Sequence, residues 1–587
     1  MKFLIFVVVL ALLQVHCIHG YSAIAALWNL TGRSSLATTT SEETPSKPSV
    51  VVQIPSVQEI SNHVNNQGLH KPLHNHSAPP SHSSSQLNNY ANSNPNTTKP
   101  FAQTPHGIPY PSLTASQTIA KNGHILLQDS FLVEKLQSFN RERIPERVVH
   151  AKGAGAFGIF EVTSDVTHLT KAAFLKRIGK KTNVAVRFST VGGESGSADT
   201  LVSPKGFATK FYTKEGIYDL VGNNFQVFAV RDPMLFVDLN RSQKRNPQTH
   251  LQDSTASWDF KSLRPETVLH TLHQFSDMGA PKSYRHMNGA GVHTFKMVNA
   301  TGTPVYVKFH WTSNQKTKDF FTLEESVEMA GKNPDFLLND LFDSIAKKEY
   351  PSWTLSIQVM TFDQAEKHPQ NPFDVTKFWK VDEYPMINVG TMTLLQNPVD
   401  YFTQIEQLAF SPSHMVPGIE PSPDRMLHAR MFAYPDAQLY RLGSNFAQIP
   451  VNRCPFQANT YHRDGFMNVG TNGAGSPNYF PNSFNGLNSI ADDSVKQSVF
   501  HVSGDVDRVD TGDDDNFSLP KFYLENYVDE DERLRIVKNI GCSLRNADGI
   551  VQKNYLKNVA YKISEEFGDC LKNELSVESK LLMQSSV

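Results

Sequence analysis

The chain has 587 residues, with 55 Lys+Arg against 57 Asp+Glu and a formal net charge of −2. That balance excludes a broad electrostatic nucleic-acid binder, and four cysteines in this length exclude a disulfide scaffold. The length allows several structural units around a large core; the 37 Phe suit an interior that packs on itself or holds a large flat cofactor.

At the N-terminus, Lys2 precedes an apolar run from Phe3 to Leu13, and small or polar residues follow. Residues 1–20 therefore read as a secretory signal cleaved after Cys17 or Gly20. The rival reading, a membrane anchor, needs about 20 apolar residues, and this run is shorter. Residues 21–102 are expected to be a disordered, low-complexity segment, because the run HSAPPSHSSSQLNNYANSNPNTTKP has almost nothing to bury. His70, His74, His76 and His82 lie there; a solvated tract accounts for them better than a metal site. Sequons at Asn29, Asn75, Asn96, Asn240, Asn299 and Asn516 can carry glycan where exposed, those before residue 100 being the better candidates. Without Cys17, Cys454, Cys542 and Cys570 leave at least one thiol free or paired between chains; a Cys542–Cys570 bridge and buried inert thiols both remain open.

From about residue 103 the pattern becomes that of a folded core. Val184, Val186 and Phe188 alternate with Ala185, Arg187 and Ser189; Val305, Val307, Phe309 and Trp311 repeat the period, as do Leu355, Ile357 and Val359. Period-2 runs broken by turn residues predict antiparallel strands, and their spread over 184–396 predicts a barrel or sandwich. Residues 397–506, rich in Pro, Asn and Gly, read as irregular. Leu534, Val537, Ile540 and Leu544, then Leu556, Val559, Ile563 and Phe567, predict C-terminal amphipathic helices. The fold class is α+β, with no later stretch able to span a membrane.

Two segments carry chemistry. In FNRERIPERVVHAKGAGAFGIFEVT (139–163), His150 stands before KGAGAFG, whose glycines permit close backbone approach. On spacing alone this is a satisfied structural histidine. In PSPDRMLHARMFAYPDAQLYRLG (421–443), Pro421, Pro423 and Asp424 suit a helix start, and Arg430 and Tyr434 share a face at i,i+4. A cation beside a phenol favours phenolate, a hard anionic ligand for ferric iron; taken alone, the pair reads as an Arg packed on a Tyr.

Together the two segments resemble catalase. The likeness covers about 103–510 and runs through RFSTVGGESGSADT (187–200), DLVGNN (219–224), RDPMLF (231–236), RSQKRNPQTHL (241–251), RHMNG (285–289), YPSWTLSIQVMTF (350–362), NPFDVTKFW (371–379) and GSPNYFPNSF (475–484). The chain is most similar to the smaller-subunit, haem-b catalases. The resemblance implies an antiparallel β-barrel at about 151–396, a wrapping loop at about 397–506, a C-terminal helical domain at 507–587 and a homotetramer with an N-terminal arm threading a neighbour.

It also implies roles. His150 matches the distal histidine, Asn223 the distal amide and Ser189 the hydroxyl that orients the histidine; read alone, Asn223 in Gly-Asn-Asn is a turn residue. Tyr434 matches the proximal iron ligand, Arg430 its charge partner, and His293 and Asp424 the rest of that polar chain. Arg147, Arg187 and Arg441 match cations around the haem propionates. Phe236, Val149, Val191 and Met426 match apolar residues of the haem pocket and channel. Three departures stand out. Ser203 occupies a channel position usually held by Asp. The NADPH site keeps Ser276, Asn288 and Trp379, but Leu269, Met278, Ala290, Thr312 and Val381 replace a His, an Arg, a Tyr, a Lys and a His. Ile159 and Ala229 stand where larger aromatics are common, so a looser pocket is expected.

The resulting expectation is a secreted haem catalase that disproportionates hydrogen peroxide without retaining NADPH, and that binds neither nucleic acid nor membrane once the signal is removed. The rivals are a haem-binding protein without turnover and a peroxidase acting on organic donors. The C-terminal QSSV, neither a peroxisomal nor an ER-retention signal, fits export.

Overall fold

Alternation in the sequence becomes a sheet closed on itself. A computed structural model describes residues 83–95, 100–315, 319–456 and 458–584. The signal sequence, Cys17, Asn29, Asn75, Asn96 and the four early histidines lie outside the described residues. The strands are β1 (Gly153–Val162), β2 (Lys181–Thr190), β3 (Lys205–Thr213), β4 (Gly216–Asn223), β5 (Gly289–Ala290), β6 (Phe295–Val298), β7 (Pro304–Ser313), β8 (Ser352–Met360), β9 (Ile387–Gln396) and β10 (Ile419–Pro421). Every pairing is antiparallel. The chain of neighbours β1-β2-β3-β4-β5-β7-β8-β9 returns to β1, giving an eight-stranded barrel. β6 continues β5 along the same edge of β7 and carries β10 on its other side.

The barrel interior takes one face of each strand. Val184, Val186 and Phe188 of β2 are buried there with Phe207, Phe211, Phe309, Trp311, Trp353, Leu355 and Ile357. Phe188 meets Phe207 edge-on at 4.8 Å, and Phe207 stacks on Trp311 at 5.9 Å. Each such side chain contributes about 1.5–3 kcal/mol by leaving water, so the barrel is a packed core. The opposite face of β1–β4 is left to build the site.

A second apolar core joins the C-terminal helices to helices inserted between β4 and β5. Trp258, Val268, Leu272 and Phe275 pack with Leu519, Tyr523, Ile536, Ile540 and Leu544. Two sequence expectations are corrected here. Leu534 is 57% exposed, and the buried stripe of helix Glu530–Leu544 runs through Ile536, Val537, Ile540 and Leu544 instead. The run from Leu556 to Phe567 is not one helix: Ser564 is extended (φ −165°, ψ 156°), and Phe567 belongs to the next helix, Glu565–Gln584.

Helix Ser83–Ser93 forms within the segment expected to lack structure, but its side chains from Gln86 to Ser93 are exposed, so core burial does not hold it. Cys454, Cys542 and Cys570 are free thiols, and burial raises Cys542 above the usual thiol range, which suits an inert group. Among the described sequons, Asn516 is buried, accepts from Arg231 and donates to the Gly512 carbonyl at 2.8 Å, so it is closed to glycan in the folded chain. No helix among the described residues is long and apolar enough to cross a membrane.

Candidate active site

The outer face of β1–β4 sets one wall. Ser189 of β2 lies opposite Gly206 of β3, which lies opposite Asn223 of β4, so all three share a face. Arg187 and Val221 lie two residues back on the same face. His150 precedes β1 and leans onto this row, its Nδ1 2.9 Å from Ser189 Oγ. Its backbone is left-handed (φ 63°), a costly state for a histidine. Three contacts hold it there: its N–H donates to the Val191 carbonyl at 3.0 Å, its carbonyl accepts from Arg187 at 2.7 Å, and its ring meets Ser189. Gly206 is required beneath it, because a Cβ there would come within 2.3 Å of Ser189 Oγ and 2.7 Å of His150 Nδ1.

Burial lowers the His150 imidazole to about 3, and the guanidiniums of Arg187, Arg430 and Arg147 push the same way. The ring is therefore neutral at pH 7. Among the described residues its Nε2 has no hydrogen-bond partner, and neither does the Asn223 side-chain amide. Asn223 ends β4 and is paired with both β3 and β5, so it is a strand residue and not a turn.

The facing wall is helix Arg425–Leu442. Asp424 caps it, as the Pro-rich start predicts: Oδ1 accepts from the Leu427 N–H at 3.0 Å. Its Oδ2 lies 2.8 Å from His293 Nδ1. His293 sits where the edge strand breaks between β5 and β6, beside Val292 with φ 66°. Arg430 approaches His293 Nε2 at 2.6 Å and donates to the Tyr434 hydroxyl oxygen at 2.6 Å and the Val221 carbonyl at 3.2 Å. Guanidinium can only donate, so Nε2 is an acceptor and the proton sits on Nδ1. Burial lowers His293 as well, which agrees with a neutral ring. Asp424, though burial opposes it, is held below the usual carboxylate range by His293 and the Leu427 N–H. The result is one chain, Asp424–His293–Arg430–Tyr434, buried at its first two members and half-buried at the last two.

Cations crowd a third side. Arg147 donates to the carbonyls of Ile405, Glu406 and Leu408 at 2.8–2.9 Å. Arg441 donates to the Glu406 carbonyl at 2.6 Å, and Arg187 to the carbonyls of His150 and Ala151 at 2.7 and 2.9 Å. Burial and the neighbouring guanidiniums lower Arg147 well below its ordinary value. The buried Nε atoms of Arg187 and Arg441 have no partner among the described residues. Apolar walls complete the space: Tyr434 packs against Ala185, Val221, Leu408 and Phe410, while Phe236 stacks on Phe228 at 5.9 Å in one cluster with Met426 and Ala229. Val149 is half-buried beside His150.

His150, Ser189 and Asn223 thus share one wall, Asp424, His293, Arg430 and Tyr434 another, and Arg147, Arg187 and Arg441 the cationic edge, while Phe236 and Met426 lie in one apolar cluster and the Val191 carbonyl accepts from His150. Glu406 and Gly206 were missed. Glu406 lies 259 positions from Arg147 in an irregular stretch, and nothing local marks it. The Ser203 position has its own replacement: the Oγ accepts from buried Lys205 at 3.0 Å, and burial lowers that lysine to about 7.

A hard oxygen donor on one wall, a neutral imidazole and an amide on the other, and unsatisfied guanidinium atoms at the edge suit a planar apolar cofactor with anionic arms. That arrangement suits a cofactor-dependent oxidoreductase. The catalase family model matches residues 103–486. A Drosophila melanogaster catalase is 49% identical over 84% of this chain and 97% of its own length; a Cavia porcellus catalase is 52% identical over 75% and 83%. The crystal structure of a fungal catalase superposes with a TM-score of 0.78 at 39% identity, covering 82% of this chain and 98% of that one. Catalase A from Saccharomyces cerevisiae gives 0.78 at 38% identity, over 81% and 99%. The chain belongs to the catalase family and is a catalase, an oxidoreductase acting on hydrogen peroxide; members of this family generally bind haem.

Proposed function

We propose that this chain is a secreted haem-b catalase that protects its surroundings from peroxide, with Tyr434 as iron ligand and His150 as proton-transfer group. The observation that carries the reading is the Asp424–His293–Arg430–Tyr434 chain opposite a neutral His150. Tyr434 Oη would hold the iron, and Arg147, Arg187 and Arg441 would hold the propionates, with the Nε atoms of Arg187 and Arg441 free to donate. Phe236, Met426 and Val149 would pack on the macrocycle. When bound, haem supplies the two-electron redox change by which one peroxide is reduced to water and the next oxidised to dioxygen.

The remaining steps belong to the protein. His150 Nε2 takes a proton from one peroxide oxygen and returns it to the other, so that water can leave. Asn223 orients the peroxide by hydrogen bonding without titrating, and Ser189 holds the imidazole through Nδ1. Arg430 donates to Tyr434 Oη and sets a positive charge beside the proposed iron ligand. Two peroxides give two waters and one dioxygen. The intact distal and proximal sets favour this reading over haem binding without turnover or a peroxidase that needs an organic donor. A homotetramer is the assembly proposed.

The test is to express the whole chain in a secreting host. Protein recovered from the medium should begin near residue 18 or 21, carry one haem per chain and evolve dioxygen from peroxide without added donor. Retention inside the cell removes the secretion reading; absence of donor-free dioxygen removes disproportionation.

We also propose that the protein works without bound NADPH. Leu269 and Ala290 are buried apolar residues, and the Val381 N–H donates to Tyr527 Oη at 3.4 Å. The retained polar groups are occupied: Ser276 donates to the His273 carbonyl, Asn288 accepts from the Ser313 N–H, and Trp379 donates to the Pro372 carbonyl. Nearby cations do not stand in for the lost ones. Arg285 makes a bidentate pair with Asp340 at 2.6 and 2.9 Å, and Lys282 lies near Asp319 and Glu325. Two lost charge-assisted contacts cost about 1.5–3 kcal/mol each, or roughly two to four powers of ten in affinity. Purified protein is expected to release no NADPH on extraction and to bind it more weakly than micromolar by calorimetry. Stoichiometric nucleotide would overturn this.

A further inference from the structure

The cationic edge of the site contains one carboxylate. Glu406 Oε1 lies 3.4 Å from Arg147 and 3.6 Å from Arg441, and among the described residues no other carboxylate pairs with Arg147, Arg187 or Arg441. Its side chain is only 19% exposed. Arg187 is near enough for its charge to act on both of the other guanidiniums.

Position and charge are supplied here by different atoms. Arg147 is held by three backbone carbonyls, and Arg441 by those of Glu406 and Leu408 together with Gln438 Oε1. Those contacts survive loss of the carboxylate. What the carboxylate adds is one negative charge among three buried positive ones. The edge is left with two positive charges, the number needed for two propionates.

We propose that Glu406 is a charge-setting, positioning residue of the haem site: its negative charge opposes those of the propionates and so weakens the hold of Arg147, Arg187 and Arg441 on them. The proposal rests on the haem reading above. It predicts an uncommon sign. Removing a residue that merely braces a site speeds cofactor loss, whereas removing an anion beside two anionic arms slows it.

The experiment uses the holoenzyme. Haem content of the parent is measured first, by its pyridine haemochrome, so that failure of the haem reading shows separately. Haem transfer to excess apo-globin is then followed for the parent, Glu406→Gln and Glu406→Asp. Glu406→Gln keeps the shape and a hydrogen-bond acceptor, and should release haem about fivefold or more slowly than the parent. Glu406→Asp keeps the charge and should release it within about twofold of the parent rate. Release from Glu406→Gln at the parent rate or faster would overturn the proposal. So would a Glu406→Gln protein that fails to accumulate while Glu406→Asp folds, because the carboxylate would then be a structural requirement.

Discussion

Tyr434→Phe is expected to yield a folded protein with less than about a tenth of the parent haem. The ring stays, and with it the apolar contacts to Ala185, Val221, Leu408 and Phe410. The Arg430 guanidinium, 4.8 Å from the ring centroid, keeps its face-on contact. What disappears is the oxygen: the hard donor proposed for the iron and the acceptor of the Arg430 N–H at 2.6 Å. An unpaired buried donor costs about 1–3 kcal/mol, so the thermal midpoint should fall by a few degrees at most for a chain of this size. Haem per chain, from the pyridine haemochrome, measures the larger effect. Parent haem content with an unchanged spectrum would refute the ligand assignment, and aggregation of the variant would show that the oxygen serves the fold.

The barrel was legible because its interior is apolar on every second residue: Val184, Val186 and Phe188 announce one face, and Arg187 and Ser189 the other. The proximal pair was legible for the same reason in helical form, since Arg430 and Tyr434 are one turn apart. Asp424 at the cap was legible from its prolines. His150 was not legible from pattern. Its place depends on a left-handed backbone, on Gly206 from a strand some 55 residues on, and on Ser189, none of which has a period. Only the resemblance pointed to it. Leu534 misled because Leu534 and Ile536 both precede Val537 within one helical turn, and an apolar period does not say which of the two the neighbouring helices will cover. Glu406 gives no local signal at all: its role exists only after the chain brings Arg147, Arg187 and Arg441 around one turn at Phe402–Glu406.

His150→Ala is expected to retain haem and to lose donor-free dioxygen evolution by about 10²- to 10⁴-fold, the range a general acid–base group contributes. Haem should stay because the histidine contributes none of the proposed anchors: Tyr434, Arg147, Arg187 and Arg441 are intact. Only the carbonyl of residue 150 serves Arg187, at 2.7 Å, and alanine keeps that carbonyl. Alanine also relieves no strain, since φ of 63° is unfavourable for it too, so the local backbone is expected to hold through the Val191 and Arg187 contacts. The parent supplies a second readout. A group lowered to about 3 is in its neutral, proton-accepting form at every pH well above that value, so turnover should be flat from about pH 5 to 9 and decline only toward pH 3. An ordinary histidine would instead give an inflection near 6.5. A variant within a few-fold of the parent rate would remove His150 from the mechanism. A parent profile that drops through pH 6.5 would show that the proton-transfer group is a less buried imidazole than this one.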